Sequence, residues 1–206
     1  MLNCSPLSFI ISAKTMIVAN KSHKKIVRKI LSSSFKENGS IKFVVKNDKT
    51  ELKRIERLID YSFEYGLTFG KVFLSEDHKS CCIMLLPEKK KTTFKFDVYW
   101  TAILVLKVIG FSHVLKVLNR ESKLKKFQPK DAFYHLWYIG VLPDNQKKGI
   151  GSNLLHHVLD EYKDRPIYLE TSNPVNIPWY QKHGFKIIKT LELGYQLNIL
   201  KRETLN

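Results

Sequence analysis

The stretch Gln146-Lys147-Lys148-Gly149-Ile150-Gly151-Ser152 combines residue types and spacing that could do chemistry. Before it, Tyr134–Leu142 is rich in β-branched and aromatic residues and is closed by Pro143-Asp144-Asn145. After it, Leu154, Leu155, Val158, Leu159 and Tyr162 repeat at helical spacing. The loop therefore joins a strand to a helix. Two glycines let the backbone approach a ligand closely, and a helix N-terminus presents unpaired N–H groups at the positive end of its dipole. Lys147 and Lys148 add charge. Such a loop can cradle a pyrophosphate. It is not a P-loop, because no Gly-Lys-Ser/Thr follows, and the third glycine of a dinucleotide fingerprint would fall at Leu154. Taken by itself, the glycine pair reads equally as an ordinary turn.

The surrounding residues narrow the choice. Val141-Leu142-Pro143-Asp144-Asn145-Gln146-Lys147-Lys148-Gly149-Ile150-Gly151 resembles the acetyl-CoA loop of the GNAT superfamily of N-acetyltransferases. Asn173, Asn176, Tyr180 and Gly184-Phe185 match that family's second motif, with Asn176 standing where Ala is usual. Within the superfamily the chain is most similar to the puromycin N-acetyltransferase group, through Gly70-Lys71-Val72, Gln128-Pro129-Lys130, and Leu169-Glu170-Thr171-Ser172 with Pro178. The resemblance covers about residues 66–190 well and the N-terminal helices loosely.

The resemblance implies an α/β fold: a central mixed, mostly antiparallel sheet with flanking helices, and a V-shaped splay between two parallel strands. Acetyl-CoA would lie in the splay, with no metal. Ile139, Gly140 and Val141 would offer backbone groups to the pantetheine arm. Gln146, Lys147, Lys148, Gly149, Ile150, Gly151 and Ser152 would hold the pyrophosphate. Asn173 would contact the cofactor, and Asn176 would either contact it or cap the short helix. A deprotonated amine would attack the thioester directly in a ternary complex, a backbone N–H at a strand bulge would polarise the carbonyl, and Tyr180 would protonate the departing thiolate. A phenol suits that role because its ordinary pKa of about 10 keeps it protonated at neutral pH. The alternative for Tyr180 is packing beside Trp179.

His135 is the first candidate for the general base, since an imidazole's ordinary pKa of about 6.5 suits proton removal near neutrality. Counting back by twos from Val141 through Ile139 and Trp137 puts it on the cofactor side, provided no bulge intervenes. Glu170 is the rival. His156 and His157 read as surface residues. His23, His78, His113 and His183 form no Cys/His/carboxylate cluster, so no metal site is expected.

Further elements must position these groups. Ile26, Val27, Ile30, Leu31 and Phe35 make a helical stripe within Ser22–Phe35. Asp48 and Glu51 read as a capping box opening a second helix with Leu52, Ile55, Leu58, Ile59 and Phe63 on one face. Strands follow over Val72–Leu74 and Ser80–Leu86, and Lys89–Lys91 reads as an exposed loop. Val98–Leu118 approaches spanning length, but Lys107, His113 and Lys116 interrupt it, and it reads as a buried helix; the resemblance implies that the helix from about Asp97 to Arg120 shapes the acceptor pocket. Strands at Ile167–Glu170, Phe185–Thr190 and Tyr195–Leu200, with a short helix at Asn176–Lys182, finish the chain.

At 206 residues and 24.1 kDa the chain reads as one domain over 16–206, with 1–15 as a disordered tail. Three cysteines, two of them the neighbours Cys81 and Cys82, exclude a disulfide framework and point to the cytoplasm. The net charge of +16 attracts anions. Only 6 of the 35 basic residues are Arg, which disfavours specific nucleic-acid reading without excluding it. A small-molecule amine is the expected acceptor, with no membrane partner and with monomer or homodimer open. Two other readings stand beside it: a basic GNAT-fold module that binds nucleic acid or protein without turnover, and an acetyltransferase of protein lysines or N-termini.

Overall fold

The computed structural model describes residues 16–89 and 94–204. The expected tail over 1–15, and Lys90 and Lys91 of the lysine run, lie outside the described residues. The elements run β1 (Met16–Val18), α1 (Lys24–Phe35), α2 (Gly39–Val44), α3 (Glu51–Phe69), β2 (Gly70–Ser75), β3 (Ser80–Leu85), α4 (Phe94–Ile103) and α5 (Val114–Lys125). Then come β4 (Tyr134–Val141), α6 (Ile150–Glu161), β5 (Ile167–Thr171), α7 (Ile177–Lys182), β6 (Lys186–Glu192) and β7 (Gln196–Arg202). The seven strands form one sheet in the order β1-β2-β3-β4-β5-β7-β6. Every pairing is antiparallel except β4 with β5.

Period-2 alternation divides the core between the two faces. On β2 and β3, Val72, Leu74, Cys81 and Ile83 pack toward α1 and α3, while Phe73, Cys82 and Met84 pack toward α6. Every residue of β3 is buried, as befits a central strand covered on both faces. Burial, with Cys82 beside it, pushes the Cys81 thiol well up, so this pair is inert core. On the α1 and α3 side, Arg28 forks onto Asp60 through two hydrogen bonds of 2.7 Å and ties the two helices together.

Three expectations change. Asp48 does not form a capping box; its carboxylate accepts from the Thr50 N–H and hydroxyl and pairs with Arg54, which holds its pKa well below the usual range. The helix α2 and strand β1 are additional elements. The apolar run 98–118 is not one buried helix: a π-helical turn at Leu104–Ile109 leads to Gly110, and the two halves meet at 97°. Gly110 has a φ of +78°, a conformation that suits glycine and breaks the helix there. Among the described residues no single helix is long and apolar enough to cross a membrane.

The close approach of α3 to the sheet depends on Gly66. A Cβ there would stand 2.6 Å from Ile83 Cγ2 and 3.0 Å from Val72 Cγ2, both on fully buried β-branched side chains. Alanine normally favours a helix over glycine by about 1 kcal/mol. Gly66→Ala is nonetheless expected to destabilise by about 1 kcal/mol or more through overpacking. Urea unfolding checks this; an unchanged or raised midpoint contradicts it.

Candidate active site

The site starts where β4 and β5 part. These parallel strands pair only at Tyr134 with Ile167 and His135 with Tyr168. Beyond His135 the β5-facing edge of β4 has no strand partner, and a cleft opens between the strands. On the other edge, β3 pairs Ile83 with Tyr138 and Met84 with Leu136, so Trp137 is an extra residue, a β-bulge.

The bulge reverses the side-chain alternation. Leu136 and Ile139 pack toward α6, whereas Trp137 and Tyr138 both pack toward α1 and α3. His135 therefore lies on the opposite face from Ile139 and Val141, which corrects the count by twos along the strand. It still reaches a cavity, on the α5 side of the sheet.

On one side of the fork, a cavity of about 560 Å³ is lined by Ile139, Gly140 and Val141 of β4, by Gln146, Lys147, Gly149, Gly151 and Ser152, and by Asn173, Asn176 and Tyr180. Lys148 and Ile150 are not on its wall; the Lys148 ammonium instead donates to the Asp144 carbonyl. Lys147 and Gly149 both take positive φ, +59° and +76°. The N-cap of α6 is Gly149, and no side chain caps the helix, so its first-turn N–H groups are left for a ligand. A Cβ on Gly151 would meet Val141 Cγ2 at 3.2 Å. Gly149 thus suits the left-handed turn that opens α6, Gly151 lets that turn approach β4 closely, and the cradle fits a phosphate-bearing group. Trp179 Nε1 donates to Ser152 Oγ at 2.9 Å and braces α7 against this helix start.

Asn173 lines the cavity and also caps the 3-10 turn before α7 by accepting from the Val175 N–H. Asn176 makes no side-chain cap bond to the helix and lines the cavity. Tyr180 is 6% exposed. Burial, and after it the neighbouring Cys82, push its phenol pKa up and keep the hydroxyl protonated at neutral pH.

A second cavity of about 310 Å³ lies on the other side of the fork. Its walls are largely apolar and aromatic, with Leu58, Tyr61, Trp137 and Tyr138 from α3 and β4, and Leu104, Val117 and Leu124 from the bent helices. Its polar end holds His135 and Glu170, whose Nε2 and Oε2 are 2.7 Å apart, with Arg120 and Glu121 nearby. Burial tends to raise the Glu170 pKa, but His135 beside it, then Arg120, outweigh this and hold the carboxyl below its ordinary value. Phe35 and Asn38 line both cavities, so the two meet at the α1–α2 turn. Asn38 is fixed there by Ser172, whose hydroxyl donates to its side-chain oxygen at 3.1 Å. Sequence reasoning missed both residues. Asn38-Gly39 signals a helix start, but nothing local says that this start docks beside β5.

Residues 97–187 match the family model of the acetyltransferase (GNAT) domain. This stretch of the chain is similar to a GNAT acetyltransferase domain. The match supports an acyltransferase, and GNAT acetyltransferases use acetyl-CoA as cosubstrate. The whole described fold is similar to a histone acetyltransferase and related acetyltransferase of Corynebacterium glutamicum, at 14% identity over 93% of this chain and 97% of that one, with a TM-score of 0.69. It is similar to arylalkylamine N-acetyltransferase 2 of Aedes aegypti, at 10% identity over 93% and 99%, TM-score 0.57. It is also similar to the C-terminal condensation domain of Ebony bound to beta-alanyl-dopamine, at 8% identity over 92% and 98%, TM-score 0.63. At these identities the likeness is one of fold. Among the described residues no group of three or more His, Cys, Asp or Glu could hold a metal ion.

Because the folded Glu170 pKa is lowered, its ionised form stabilises the protein above the ordinary carboxylate pKa, and this contribution is lost as pH falls through the folded value. Glu170→Gln is therefore expected to destabilise the protein at pH 7, by about 2 kcal/mol for a charge-assisted hydrogen bond. The difference from wild type should shrink below about pH 4. Denaturant unfolding at pH 7 and pH 3 reads both; an equal penalty at the two values contradicts it.

Proposed function

We propose that the chain is an acetyl-CoA-dependent N-acetyltransferase acting on the primary amine of a small molecule, as a single cytoplasmic domain over residues 16–206. The observation that carries this reading is the pair of cavities meeting at Phe35 and Asn38. One has a glycine cradle and a protonated phenol. The other has a buried imidazole–carboxylate pair at the end of an apolar chamber.

In this reading the pantetheine arm lies along Ile139–Val141, the pyrophosphate sits on the start of α6, and Asn173 and Asn176 hold the arm from the turn before α7. The amine enters the second cavity as an ammonium. His135 takes one proton and passes it to solvent, while Glu170 orients the ring and stabilises its charged form. The free amine attacks the thioester carbonyl, forming the C–N bond, and the C–S bond breaks. The thiolate takes a proton from Tyr180, which is restored by the second proton that leaves nitrogen. The products are an amide, the thiol and one proton released to solvent.

The second cavity supports a small acceptor because the bent helices wall it with Leu104, Ile109, Val117 and Leu124. The motif similarity to the puromycin group favours the same class. The alternative of a binding module without turnover does not require Tyr180, His135 and Glu170 to converge on the fork.

Acetyl-CoA is expected to stabilise the fold by about 2.7 kcal/mol at a hundred times its dissociation constant. Protection on heating, set against salt-sensitive retention on DNA, separates enzyme from nucleic-acid module. Across an amine panel that includes puromycin, turnover is expected with at least one small amine; acetylation of peptides alone would overturn the acceptor class. Tyr180→Phe should keep cofactor protection and slow turnover on the order of a hundredfold. His135→Gln should lose most of the rate and flatten its rise with pH, with acetyl-CoA protection intact. A wild-type rate in either variant removes the role assigned to that residue.

A further inference from the structure

The bent helices α4 and α5 are apolar on two sides. Their inner side supplies Leu104, Ile109, Val117 and Leu124 to the second cavity. Their outer side carries Val98, Tyr99, Leu106, Phe111, Leu115 and Leu118. These are six of the eleven exposed large hydrophobic residues among the described residues, and Phe111 and Leu115 are 75% and 80% exposed. Phe111, Leu115 and Leu118 recur at i, i+4 and i+7, one stripe along the 3-10 turn Phe111–His113 and the α5 that continues it. Apolar residues on a helix normally face a packed partner; among the described residues nothing covers this outer side. Scattered apolar residues are ordinary on a surface, but a contiguous patch marks an interaction site.

The charges around the patch indicate what covers it. From residue 98 to 130 there are seven Lys or Arg and one carboxylate, Glu121, which is already paired with Arg120. Lys107, Lys123, Lys125, Lys126 and Lys130 are all exposed. A second copy of this chain would bring the same lysines against themselves, at a net charge of +16 each. An anionic bilayer complements both features: acyl chains receive the apolar stripe, and headgroups receive the lysines.

We propose that the α4–α5 elbow docks the protein peripherally on an anionic lipid surface, with Phe111, Leu115 and Leu118 entering the interface. This needs no acetyl-transfer activity. The full chain is tested by flotation with phosphatidylcholine vesicles, with and without about one-third phosphatidylglycerol. Co-flotation is expected with the anionic vesicles, weakly or not at all with neutral ones, and falling as salt rises. The double variant Phe111→Ser, Leu115→Ser should lower the bound fraction about tenfold or more. Lys123→Glu, Lys125→Glu and Lys126→Glu together should lower it without touching the stripe. Cooperative urea unfolding of each variant excludes misfolding. No flotation by the wild type, or equal flotation by the double variant, overturns the proposal. So does a dimer in sedimentation equilibrium that the double variant dissociates, since the face would then belong to a second copy.

Discussion

The parting of β4 from β5 after two residue pairs is the constraint from which the site follows. Parallel strands normally satisfy each other's backbone groups along their length, and a buried N–H or C=O left unpaired is costly. Beyond His135 this chain forgoes that pairing, leaving the edge of β4 facing a cleft and not a neighbour. His135 and Glu170 bridge the two strands at the point of separation, so this hydrogen-bonded pair marks the apex of the fork.

Two features keep the fork open. The bulge at Trp137 rotates β4, so that Ile139 and Val141 address one side of the sheet and His135 the other. The α1–α2 turn then enters from above, with Asn38 held by Ser172 and the Ser34 hydroxyl donating to the Val141 carbonyl at 2.7 Å. A Cβ on Gly140 would stand 2.9 Å from Leu31 Cδ2, so the residue facing α1 at this point has to be glycine. These contacts divide the space into a cradle side and an imidazole–carboxylate side that meet at Phe35 and Asn38.

Much of this was legible in the sequence. The loop from Gln146 to Ser152 and the Asn173–Phe185 segment announce themselves because their function is local: a glycine must sit where the backbone turns, and a helix must begin there. A continuous apolar run likewise placed β3, and period-3.6 stripes placed α3 and α6, to within a few residues. What escaped is long-range. One inserted residue at Trp137 changes which face His135 occupies, and no side-chain type signals it. The short α2 and three-residue β1 have too little periodicity to stand out. The run 98–118 looked like a core helix because apolar content cannot tell a helix buried on two sides from one buried on a single side. Its π turn and Gly110 convert length into a right-angled elbow.

The claim that the open edge of β4 receives the cofactor is tested most directly by amide hydrogen exchange with and without CoA. The expected result is slowed exchange concentrated in residues 136–141 and in the first turn of α6, with β2, β3 and the outer side of α4–α5 unchanged. CoA that binds by calorimetry yet leaves the amides of 136–141 exchanging at their unliganded rate would contradict the account.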